Sequence, residues 1–385
     1  MICLAMLLQV ATPTAQAAPQ SNAGAAQEGD IVVVGRGIES AQAALDACVA
    51  RGCPPDQEIK AALVVASRRF LAGDYAGSRQ TLLKTRGRTA KFDQTFPVAV
   101  SDLHRALNTM GNLDGRPDSA RISAFDATDA LRAGLKPDDP LILLQRLDTA
   151  GQLTRDARII GARQIYEDVI KRAAKNGYPG IEAEAMFQAA TLYVTLASVN
   201  SDFRGAAAKW VSRLERRDEP EFAPYRQGIA LVKLQLDAST APRSERAAML
   251  AKAKPLTTRD AFLLSEPDVQ YSVSNKVLAG VSGGGGGDKP EWADVAFFVQ
   301  PDGSVRDVSV IEQSAVKPGS WLSKKTEAVG QRRYAPFSGA PIYRVERYTM
   351  VYNYSSTTES RIKSRSARGI LNTTDVTKGY QTPAA

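Results

Sequence analysis

The chain has 385 residues, 44 % of them hydrophobic and 23 % charged, with a formal net charge of +8. That length and apolar content imply two or three globular domains with sizeable cores and exclude a chain that is disordered throughout. In an exported chain the positive balance fits anionic envelope polymers or lipid head groups better than nucleic acid, and it fits a solvated basic surface equally well.

Export is the expectation from residues 1–18. A short apolar run, residues 2–11, precedes Ala15-Gln16-Ala17, a small-residue cleavage pattern. The run is too short to span a bilayer, which takes roughly 20 apolar residues. No Lys or Arg occurs before Arg36, so the usual positive leader is missing and a start upstream of Met1 stays open. Residues 19–37 read as a flexible Ala-, Gln- and Ser-rich leader. It is interrupted by Asp30-Ile31-Val32-Val33-Val34-Gly35, whose β-branched run favours an extended strand.

Residues 38–255 carry helical periodicity. A helix over 40–50 ends at Arg51-Gly52. Cys48 and Cys53 flank that turn, with Pro54-Pro55 beyond it. In an oxidising compartment this spacing favours a disulfide over two free thiols. Helices follow over 59–72 and 76–85, joined by Gly73-Asp74-Tyr75, then over 98–110, 119–133, 140–151, 155–175, 181–196, 202–216, 222–236 and 243–253. The first pair resembles a tetratricopeptide hairpin, with small residues at the crossing and an aromatic after the turn. Short turns between helices predict an α-solenoid of irregular repeats. Residues 256–289 lose this period and read as a strap that ends in a glycine joint, residues 283–287. About this joint the array and the last domain are expected to move as separate bodies.

The last domain, residues 290–366, is the most structured stretch. Val295, Phe297 and Val299 alternate as in a half-buried strand over 291–300. Pro301-Asp302-Gly303 turns the chain into a second strand, with Val308 and Val310 on one parity. A helix over 321–332, with Ser320 placed to cap it, puts Trp321, Lys325, Ala328, Val329 and Arg332 on one side. Tyr334-Ala335-Pro336 and Gly339-Ala340-Pro341 lead into a long aromatic strand over 342–354. Strand, Pro-Asp-Gly, Val-rich strand, helix, aromatic-x-Pro and Gly-x-Pro-Ile in this order resemble the TonB C-terminal domain, over about 65 of the 385 residues. The expected fold class is therefore α+β, a helical array followed by a small β-β-α-β domain. Residues 361–366 are one more candidate strand, and residues 367–385 read as a disordered tail.

The resemblance implies a periplasmic protein that meets an outer-membrane TonB-dependent receptor or another periplasmic protein. In that family the third strand offers a backbone edge to a short receptor segment, the TonB box. Here that edge would be carried by Arg344, Arg347, Tyr348, Met350, Tyr352 and Tyr354. The segment at 30–35, with Ile31 and Val33, itself resembles a TonB box and is a possible occupant in cis; equally, residues 361–366 cover the edge. The alternative reading is a true TonB-type energy transducer. Such proteins keep an uncleaved membrane helix and a Pro-rich spacer, and this sequence departs from both.

Catalytic chemistry finds little support. The single histidine, His104, sits on a helix with no Gly-x-Ser-x-Gly elbow to serve, and reads as a surface or groove residue. One histidine without a cysteine cluster offers no zinc set. Asp138-Asp139 before Pro140 read as a helix N-terminus. Arg216-Arg217 and Arg332-Arg333 read as solvated helix ends rather than anion sites, and Trp210 and Trp321 as core. No catalytic residue, cofactor, metal or small-molecule substrate is expected. An enzyme with carboxylates assembled across the array is the least supported reading.

Overall fold

The computed structural model describes residues 37–257, 261–267, 269, 291–315, 318–356 and 363–380, with backbone alone for 239, 243, 351–356 and 363–370. The cleavage pattern at 15–17, the segment at 30–35 with Ile31 and Val33, and the glycine joint lie outside the described residues.

The described chain is α+β. Its helices come first: α1 (Ile38–Ala50), α2 (Pro55–Leu71), α3 (Tyr75–Thr89), α4 (Pro97–Leu113), α5 (Pro117–Gly134), α6 (Pro140–Arg155), α7 (Ile159–Asn176), α8 (Pro179–Val199), α9 (Arg204–Glu215), α10 (Ala223–Thr240) and α11 (Arg243–Leu250). Each packs on the next. Five of them, α2, α4, α5, α6 and α8, begin at a proline, whose fixed φ suits the first turn and whose missing N–H has no partner to lose. Asp139 caps α6 by accepting from Leu141 N at 2.9 Å, and Asp74 caps α3 by accepting from Gly77 N at 2.8 Å. Cys48, at the end of α1, is bonded to Cys53, with Cα atoms 5.2 Å apart. The α6–α10 core is aromatic, built on Tyr166, Phe187, Tyr193, Trp210 and Phe222.

The second part is an antiparallel sheet. It contains β2 (Glu291–Val299), β3 (Val305–Gln313), β5 (Ile342–Ser356) and β6 (Lys363–Asp375), in the order β3-β2-β5-β6. Helix α12 (Trp321–Gly330) lies on one face. The strap contributes β1 (Leu263–Ser265), which pairs with β4 (Arg333–Tyr334). Gln235 of α10 holds the strap by donating to the carbonyls of Leu263 and Leu264 at 2.8 and 2.9 Å. Pro301-Asp302-Gly303 closes the β2–β3 hairpin, with Gln300 N donating to Ser304 O at 2.8 Å.

Several expectations are corrected. β2 is not half-buried. Val295, Phe297 and Val299 are buried on the α12 side, and Trp292, Asp294 and Ala296 are buried on the other, because the helical array covers that face. Val308 is half-buried, but Val310 is 42 % exposed, since β3 is an edge strand kinked by a bulge at Asp307, φ 56°. Ser320 makes no side-chain cap, its backbone being already helical. Residues 367–380 are not a tail. Strand β6 runs to Asp375, and the turn Thr377–Gly379 packs Gly379 against Leu71 of α2. The second edge of β5 is therefore not open: β6 pairs with it from Glu346 to Ser356, and Val376 N donates to Val345 O at 2.9 Å.

Nor are the array and the sheet separate bodies. Trp292 of β2 is buried in the core of α2–α5, while Leu231 of α10 is buried in the core under the sheet. Gly73, at φ +78°, lies under the Trp292 indole. A Cβ there would sit 2.4 Å from Trp292 Nε1, so the α2–α3 turn needs glycine for its backbone and for the close approach alike.

Candidate functional site

The residues expected to bind a partner strand are gathered on β5, but most of them face inward. Arg347 is fully buried. Its guanidinium donates to both carboxylate oxygens of Asp294, at 2.6 and 2.7 Å, and to the last carbonyls of α2, Phe70 O at 2.5 Å and Leu71 O at 2.7 Å. It lies over the Trp292 ring at 3.7 Å and the Phe70 ring at 5.0 Å. A cation at a helix C-terminus meets carbonyls with acceptor capacity to spare and the negative end of the dipole, so the geometry is favourable twice over. Burial by itself would lower the Arg347 pKa; the hydrogen bonds it donates to Asp294, with the charges around it, reverse this and raise it. The Tyr380 hydroxyl lies within hydrogen-bond distance of Asp294 and, at 2.9 Å, of Glu312, which share its single proton. Tyr75, the aromatic after the α2–α3 turn, meets Thr349 of β5 through its hydroxyl at 3.1 Å.

On the opposite face Tyr348 and Met350 are buried under α12. The Tyr348 hydroxyl donates to Glu346 and accepts from Arg332 Nη2 at 3.0 Å. Arg332 is no solvated helix end. It is 2 % exposed and pairs with Glu346 at 2.8 Å and Glu266 of the strap at 3.3 Å. Lys325 Nζ reaches Glu266 at 2.5 Å. Burial lowers the Lys325 pKa, and Glu266 opposes it. Burial alone would raise the Glu346 pKa, but Arg332 and Arg344 outweigh it and hold the group below its ordinary value. Burial pushes the Tyr334 hydroxyl up to about 12. Among the candidates whose side chains are described, Arg344 is the most open, and it pairs with Asp375 of β6 at 2.9 Å. Tyr352 and Tyr354 pair in register with Gly369 and Ala367, their side chains being outside the description.

The remaining candidates for chemistry are structural. His104 is not at the surface. It is buried on α4, Nδ1 has no hydrogen bond, Asp126 Oδ2 lies 3.5 Å away, and burial lowers its pKa. Arg217 pairs with Glu182 and, at 2.8 Å, with Glu219. Asp138 faces Arg172 at 3.7 Å. Trp210 and Trp321 are buried, and Trp321 Nε1 donates to Glu291 at 2.7 Å. No group of three His, Cys, Asp or Glu among the described residues is placed to hold a metal ion. No described helix is long and apolar enough to cross a membrane.

Two recesses among the described residues lie on the array. A polar one of about 240 Å³ is lined by Arg105, Asn108, Gln145, Asp148, Arg155 and Gln188. Near it burial raises the Glu184 pKa, with Asp148 adding to the rise. The larger is an open groove of about 800 Å³ between α2 and the start of α4. Its walls are Ile59, Leu63, Val64, Leu71, Phe96 and Val98, and its rim carries Asp56, Lys60, Arg68 and Asp102. Val64 and Val98 are 42 % and 43 % exposed. A sequence signal for this groove exists: Val64 and Val98 fall off the buried stripes of their helices, whereas Ile59, Ala62, Val65 and Ala66 fall on them. Comparison of the chain with protein-family models, curated proteins and solved structures finds no match.

Proposed function

We propose that the chain is a periplasmic protein–protein interaction protein, in which a tetratricopeptide-like solenoid carries a TonB C-terminal-like domain docked on its side. It is not an enzyme on this reading. The observation that carries the proposal is the α2/α4 groove: apolar walls with two half-exposed valines and a charged rim suit an apolar segment of a partner protein. The TonB-like assignment rests on the order hairpin, α12, long strand β5. The edge that such a domain offers to a TonB box is filled here by β6. Capture of a receptor strand on β5 would first require β6 to leave, so the groove is the better receiving surface, for a TonB-dependent receptor or another periplasmic protein.

A peptide with an acidic residue followed by four apolar ones, titrated to millimolar into the mature protein, tests this by hydrogen exchange. Slowed exchange in α2 and the first turns of α4, lost in the variant Val64→Asp, is the expected result. Protection confined to β5 with loss of protection in β6 would instead support the energy-transducer reading. Unchanged exchange everywhere refutes both. The compartment is tested by N-terminal sequencing of the purified protein, which should begin near Ala18.

A further inference from the structure

We propose that the α2/α4 groove is covered in cis by the chain's own residues 30–35, which a partner's apolar segment must displace. The inference rests on the groove being the partner site. Four observations point to this occupant.

The described chain begins at the rim of the groove. Gly37 O accepts from Arg68 Nη1 at 2.5 Å, and Arg68 is a groove residue. Gly37 has φ +139°, and a Cβ on it would lie 2.6 Å from Arg68 Nη1. The entry point thus lies at a position whose positive φ favours glycine, and residues before it start beside the groove. The lengths also agree. The α2 wall runs from Asp56 to Leu71, roughly 22 Å at about 1.5 Å per residue. Six extended residues span about 20 Å.

The chemistry agrees as well. Ile31, Val32, Val33 and Val34 are the apolar run nearest the array in the leader, and they would meet Leu63, Val64, Phe96 and Val98. Finally, the far end offers polar partners. Lys60, in the N-terminal half of α2, is a groove residue that would meet the carboxylate of Asp30. Asp56 Oδ1 is buried without a hydrogen-bond partner, an acceptor that a backbone N–H of an extended segment satisfies.

Cysteine chemistry in the full chain tests the proposal. In the double variant Val33→Cys, Val64→Cys, a short bismaleimide should cross-link within one molecule at least tenfold faster than in Val33→Cys, Val310→Cys, where Val310 is exposed on β3. In the single variant Val64→Cys, the thiol should be protected from a maleimide, and adding Val33→Asp should raise its reaction rate about tenfold. Retained helical circular dichroism shows that each variant folds. Equal cross-linking rates overturn the proposal. So does a product of dimer mass, which means a second copy fills the groove, or protection that persists with Val33→Asp, which points to residues 381–385 beyond the turn on Leu71. If these tests fail while an added peptide still slows exchange in α2 and α4, only the cis occupancy falls. If the peptide also fails, the groove reading falls with it.

Discussion

The helical array and the sheet bury their polar groups in different ways. In the array the buried polar side chains are mostly hydroxyls that bond to nearby backbone. Ser78 donates to Ala66 O at 2.8 Å and Thr89 to Thr85 O at 2.9 Å, while Thr149 meets Ala124 O and the Thr128 hydroxyl at 3.1 and 3.0 Å. In the sheet they are full charges paired across long sequence distances: Arg347 with Asp294, Arg332 with Glu346, Lys325 with Glu266. A hydroxyl on a neighbouring turn costs little and lets helix backbones approach. A buried ion pair adds little net stability, but either member left alone is expensive. The array is therefore assembled from local fits, whereas the sheet has one docked position that satisfies its charges.

The largest effect should come from leaving one charge alone. Arg347→Met keeps the volume but strands Asp294 between sheet and array, and should lower stability by about 3–5 kcal/mol in urea unfolding. The double variant Arg347→Met, Asp294→Leu should recover part of that loss. A double variant as unstable as the single one would show that the pair contributes more than mutual neutralisation. Next, Gly73→Val attacks the same junction from the array. Left-handed strain and overlap with Trp292 together cost about 3 kcal/mol. Unfolding followed by Trp292 fluorescence should then precede unfolding followed by helical circular dichroism; coincident curves would mean that the two regions do not depend on this contact. In the array, Thr149→Val should cost only about 1 kcal/mol, since one neutral hydroxyl network is lost.

The smallest effect concerns pH. Burial lowers the His104 pKa, with Asp126, Arg86 and Asp93 as its charged neighbours. The unfolded imidazole takes up a proton as pH falls through about 6.5, while the folded one does so only at lower pH. His104 therefore favours the fold above that pH and loses this contribution as pH falls. Denaturant midpoints at pH 7.5 and 5.5 should differ less in His104→Gln than in the parent protein. An unchanged difference would assign the acid sensitivity to other groups.

Much of the secondary structure was legible in the amino-acid order. Apolar residues at helical spacing, prolines at first turns and Gly-Asp-Tyr punctuation mark the helices to within a few residues, because these signals act within one or two turns of chain. The hairpin at Pro301-Asp302-Gly303 and the buried side of α12 were readable for the same reason. What covers a surface was not. The alternation of β2 marks Val295, Phe297 and Val299 as inward, yet nothing local says that Trp292 and Asp294 face a second core, or that Arg347 on β5 will meet the carbonyls of Phe70 and Leu71, 277 and 276 residues away. A mid-strand Asp and a mid-strand Arg were the available signal, and they read as polar-face residues until their pairing in register is seen. The closing of the β5 edge by β6 has the same origin. Strand pairing is satisfied by any backbone that arrives at the right register, so the sequence marks residues 361–366 as able to extend, and only the assembled sheet decides that the strand runs on to Asp375 and which edge it fills.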